Sequence, residues 1–153
     1  MPNPSTFFAT TPTLALPFLF PGQSQKEVTL NEALARIDAL MHPRVLGERP
    51  DTPANPDEGD GWIVGAAATG LWSGHENALA FYVAGSWHFV EPDTAMPVFD
   101  TSRDQRAVFD GSSWTAPALP AEPAGGAVID TEARAAISTL LQVLQICRIV
   151  PQN

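Results

Sequence analysis

The sequence predicts a mainly β fold with flanking helices, an α+β chain built around a small antiparallel β-hairpin domain. Between Gly61 and Phe109, short apolar segments alternate with glycine turns, which is the pattern of strands. A helical period appears on either side of that region, at residues 24–41 and 130–149. Fourteen of the chain's 15 prolines cluster in residues 1–21, 43–56 and 92–123, which keeps those connections irregular. The expected organisation is an extended Pro-rich N-terminal arm (1–22), a helix plus β-hairpin domain (23–117), a Pro/Gly linker (118–128) and a C-terminal helix (129–153).

The arm carries Phe7, Phe8, Leu16, Phe18 and Phe20 among prolines, so it has apolar side chains to bury and no means of packing on itself. Leu16, Phe18 and Phe20 are expected to pack on their own domain. Phe7 and Phe8 lie far enough out to dock on another chain. In the first helix, Ser24 with Glu27 and Thr29 with Glu32 have capping-box spacing. Leu30, Leu34, Ile37 and Met41, with Ala33 and Leu40, fall on one stripe, and Pro43 stops the helix. Residues 43–60 read as a linker or long loop.

Strands are expected at Trp62–Val64, Leu79–Val83, Trp87–Val90, Val98–Phe99 and Ala107–Phe109. Phe81-Tyr82-Val83-Ala84-Gly85-Ser86-Trp87 and Val108-Phe109-Asp110-Gly111-Ser112-Ser113-Trp114 form a weak repeat: strand, Gly-Ser turn, then a Trp opening the return. In the last helix, Asp130 or Thr131 is the cap. Ala133, Ala136, Leu140, Val143 and Cys147 follow a 4-3 spacing, with Ile137, Leu141 and Leu144 alongside. Two such rows need a wide partner surface, either the β domain or other copies of the helix. The linker before it favours other copies, with Ala133, Ala136, Ile137, Leu140, Leu141, Val143 and Leu144 as the oligomer interface.

Seventeen acidic and eight basic residues leave a net charge of −9, which would repel a polyphosphate backbone, so no nucleic acid is expected. No stretch approaches the roughly 20 apolar residues that span a bilayer, and no membrane insertion is expected. The apolar run near the N-terminus has no basic segment ahead of it and is broken by Pro12, Pro17 and Pro21, so it does not read as a signal peptide. Cys147 alone excludes an internal disulfide and reads as a small core residue.

No catalytic or metal constellation emerges. His42, His75 and His88 stand without ligands at metal spacing. Asp57-Glu58-Gly59-Asp60 runs straight into Trp62-Ile63-Val64, which suits a solvated acidic loop better than a calcium loop. No cofactor is expected. Trp72 and Trp114 adjoin turns and are either core or candidate glycan contacts, because an exposed indole can stack on a sugar ring.

The run Leu16-Pro17-Phe18-Leu19-Phe20-Pro21-Gly22-Gln23-Ser24-Gln25-Lys26-Glu27, continuing to Asn31-Glu32-Ala33-Leu34, resembles the opening of an uncharacterised domain family of bacterial prophages and phage-like gene transfer agents. Glu58–Val64, Gly70–His75, Gly85–Phe89 and Phe109–Trp114 stand in that family's order, so the likeness covers roughly residues 14–115. The resemblance implies a non-enzymatic virion protein, part of a head spike or tail fibre that takes part in host attachment. It implies a homo-oligomer, trimer or pentamer, meeting other virion proteins, with host surface polysaccharide as a further candidate partner. Such a protein is made in the bacterial cytoplasm and carried in the particle. Because the chain stops soon after its last helix, a base or adaptor is expected ahead of a glycan-binding receptor module, and a carbohydrate-active enzyme comes third.

Overall fold

A computed structural model describes residues 9–22, 26–125 and 130–152. The first helix, α1, is Lys26–Met41. Eight strands follow: β1 Arg44–Val45, β2 Glu48–Arg49, β3 Gly61–Val64, β4 Leu79–Val83, β5 Ser86–Val90, β6 Pro97–Asp100, β7 Gln105–Phe109 and β8 Trp114–Thr115. The second helix, α2, is Thr131–Ile146. This is the expected mainly β fold with a helix on each side.

The strands form two four-stranded sheets, in the orders β1-β6-β7-β8 and β2-β3-β4-β5. Neither is purely antiparallel as expected. β1 runs parallel to β6 and β2 parallel to β3, so the segment between α1 and Gly61 seeds both sheets. Two-residue strands carry no readable alternation, and their partners are distant in sequence. The longer pairings are antiparallel: β3 with β4, β4 with β5, β6 with β7, and β7 with β8.

Period-two alternation places one core cluster against both sheets, with Ile63, Leu79, Phe81 and Val83 from one and Val98 and Ala107 from the other. Ala35 of α1 and the half-buried Ala39, Leu40 and Phe18 close it. A second cluster lies on the other face of β3 and β4, where Val64 and Ala80 meet Trp72. Gly61 is obligatory here for a steric reason. A Cβ at that position would stand 2.6 Å from the Arg44 carbonyl oxygen and 2.8 Å from the Phe81 ring.

The two repeats fold as hairpins with different turns. Ala84 and Gly85 both adopt positive φ, giving the two-residue turn whose twist matches the strands. Glu58 braces it by accepting from the amides of Ala84 at 2.7 Å and Gly85 at 2.8 Å. In the other turn, Asp110 accepts from the Ser113 and Ser112 amides and the Ser112 hydroxyl. Those bonds, the Ser113 amide foremost, hold the Asp110 carboxyl well below the usual carboxylate range.

The described part of the arm is not extended. Thr11 N donates to Leu16 O at 2.9 Å, Phe18 N donates to Ala9 O at 3.0 Å, and Thr10 bridges Pro17. The arm therefore doubles back beside α1. Its organising group is Asp38, a buried carboxylate that accepts from the Thr11 hydroxyl (2.7 Å), the Leu14 amide (2.6 Å) and the Thr13 amide (3.0 Å).

Candidate assembly surfaces

On α1 the expected stripe divides, with Leu34 half-buried and Leu40 packed on the core. Leu30, Ile37 and Met41 are about half exposed, while Ala35 and Asp38 are the buried residues. Ala35 lies in the core cluster with Ala39 packed against it, and Asp38 reaches the arm. The Glu32–Arg36 ion pair forms as expected at 3.1 Å. Thr29 lies inside the helix and cannot start it, while Ser24 falls outside the described residues.

The C-terminal end of α1 opens into two apolar grooves of about 470 Å³ each, on either side of Met41 and Pro43. Phe99 and Pro97 help line one, and Met96 and Leu40 help line the other. Arg44 and Arg106 stand in the first groove. Among the described residues, neither side chain has a carboxylate partner.

On α2, Asp130 is the cap, accepting from Ala133 N at 2.8 Å. The predicted interface residues divide between two faces. Leu141 is buried, lining a cleft with Leu119 and Pro120 of the preceding segment, and Leu144 is half-buried. Ala133, Ala136, Ile137, Leu140 and Val143 are exposed, with Leu140 at 62%. Cys147 is exposed rather than a core residue, because it sits at the C-cap beyond the packed turn. The helix is tied down mainly at that end, where Arg106 N donates to Arg148 O at 2.8 Å and Arg148 pairs with Asp104.

Trp72 does not offer a ring to a sugar. A short 3-10 turn, Gly70–Trp72, tucks it fully inside, edge-on to Trp87 at 5.1 Å. Trp114 is half-buried against Phe109, with its indole N–H donating to Asn77 O at 2.8 Å. The two belong to different core clusters and form no common platform. Open aromatic surface lies elsewhere, where Tyr82 and Trp87, 5.2 Å apart, line a groove of about 530 Å³ with Phe89, Leu71, Pro53 and Pro56. The signal in sequence was the outward position of Tyr82 on a strand whose neighbours Phe81 and Val83 point inward. Phe7 and Phe8 lie outside the described residues.

Residues 30–115, more than half of the chain, match the domain family described as "Protein of unknown function (DUF2793)". The chain belongs to that family. The DUF2793 segment runs from α1 to β8, so both sheets and the grooves beside Met41 lie within it, while α2 lies beyond it. No curated protein matches the sequence. Among the described residues no group of three or more His, Cys, Asp or Glu side chains is arranged to hold a metal ion. No helix among them is long and apolar enough to cross a membrane.

Proposed function

We propose that this DUF2793 protein is a non-enzymatic structural part of a phage or phage-like gene transfer agent, a base or adaptor of a head spike or tail fibre, assembled from three or five copies. The observation that carries the assembly reading is the exposed face of α2. Ala133, Ala136, Ile137, Leu140 and Val143 stand in solvent while Leu141 is the one α2 residue fully covered at home. Exposed apolar residues clustered on one helix face mark an interaction surface, whereas scattered ones do not. The particle assignment is supported by the sequence resemblance around Gly22–Leu34, and the partners it brings are other virion proteins. The carboxylates of the polar cleft beside α1 have structural partners, Asp38 in the arm and Glu58 in a turn. Those engagements favour scaffolding over acid–base chemistry.

Replacing Leu140 and Val143 together with Asp should yield monomers by native mass measurement, with the circular dichroism of the wild type. A variant that keeps the wild-type mass overturns the assembly reading. Recovery of the protein in purified particles of its host tests the virion assignment.

A second reading, a glycan-binding host-recognition module, is favoured by the Tyr82–Trp87 groove, since paired rings can stack on a sugar. Loss of capsule binding on Trp87→Ala would support it.

A further inference from the structure

The two exposed helical faces have different shapes and different charge, and this difference identifies what each one meets. The face on α1 is apolar from Leu30 through Ile37 to Met41, then opens into the groove holding Arg44 and Arg106. The face on α2 is apolar from Ala133 to Val143 and begins with two exposed acids, Asp130 and Glu132. At 1.5 Å per residue the stripes run about 17 Å and about 15 Å, a close match.

We infer that the face of α2 on one copy docks antiparallel on the face of α1 of the next copy. This rests on the assembly reading above and specifies its partner surface. Charge complementarity sets the direction. In a chain of net charge −9, Arg44 and Arg106 share one groove and have no carboxylate partner among the described residues. An antiparallel α2 brings Asp130 and Glu132 to that end and lets Ile137 and Val143 lie along Ile37 and Leu30. A helix packed on its own twin would leave the stripe of α1 and its two arginines uncovered in every subunit. A head-to-tail contact covers both faces with one interface and closes as a ring when the rotation permits.

Complementation tests it. One variant, Ile37→Asp with Met41→Asp, loses the α1 face, and a second, Leu140→Asp with Val143→Asp, loses the α2 face. All four residues are exposed in the single chain, so each variant should fold, with Ile37→Ser and Met41→Ser as a gentler second pair. Each alone should be monomeric by native mass measurement, and an equimolar mixture should give dimers containing one of each. If the α1 variant keeps the wild-type mass while the α2 variant is monomeric, the head-to-tail contact is overturned and the assembly role of α2 survives. If both are monomeric and the mixture stays so, the head-to-tail contact is likewise overturned. If both keep the wild-type mass, or the wild type is itself monomeric, both readings fall.

Discussion

The two helices have the same length and opposite attachments. α1 buries an aspartate under the arm and an alanine in the core, while Leu30, Ile37 and Met41 are about half exposed. α2 caps itself with an aspartate at one end, is tied down by backbone and ion-pair contacts at the other, and covers Leu141 in between. An apolar stripe in a sequence shows what is greasy, and the shape of the neighbouring surface decides what is covered. Ala35 and Leu40 of α1 pack on the core with Phe18 of the arm, whose backbone donors need an acceptor.

The largest expected effect breaks that arrangement. Asp38→Ala removes the acceptor shared by the Thr11 hydroxyl and the Thr13 and Leu14 amides, leaving three donors unpaired. Hydrogen bonds to a charged group contribute about 1.5–3 kcal/mol each, and solvent will reach some of the freed amides, so a net loss of about 3 kcal/mol is expected. Asp38→Asn, which keeps a carbonyl oxygen, should recover part of it. Urea unfolding measures both, and a loss below about 1 kcal/mol for the alanine variant would mean that α1 does not depend on the arm.

The corresponding change on α2 should be smaller and local. Leu141→Ala removes its most buried side chain, at about 2 kcal/mol, the low end for core leucines because the site is a helix edge. The expected readout is faster proteolytic cleavage at Arg134 or Arg148, with the β sheets still folded. Global unfolding at the same denaturant concentration as Asp38→Ala would show that α2 belongs to the same cooperative unit as α1.

The strands were legible because their alternation is local. β7 reads buried, exposed, buried, exposed, buried, and Ala107 and Phe109 face the core as the period requires. β1 and β2 were not legible, since each pairs over two residues with a strand far along the chain and looks like linker in isolation. The apolar rows of α2 were legible, but not which of them its own chain covers: Ile137, Leu140 and Val143 are exposed, whereas Leu141 is buried at home. The stripe of α1 was visible from its period, which does not say which of its side chains are covered. Asp38, next to Ile37, lies about a quarter turn round the helix from that stripe, but no periodicity shows that a carboxylate will be buried by an arm 25 residues away. Trp72 adjoins glycine turns, which left core and glycan contact both open, and the 3-10 turn carries it into the core.

The smallest effect separates the two aspartates that serve the helices. Asp130 accepts one bond, from Ala133 N at 2.8 Å, and it is exposed. Water can replace it at the freed amide, so what is lost is the cap's preference for a helical start and its favourable charge at the positive end of the helix. Asp130→Ala should therefore cost about 1 kcal/mol, against about 3 for Asp38→Ala, although both remove one carboxylate from one helix. The loss should appear as fraying of the first turn of α2, seen by faster amide exchange at Ala133 and Arg134 with no change at Ala35 or Ile63. Ser at the same position should restore protection, since its hydroxyl can accept the same bond. If Asp130→Ala instead loosens the sheets or costs as much as Asp38→Ala, the start of α2 is supported by more than its own cap, and the contrast between an embedded helix and an appended one fails.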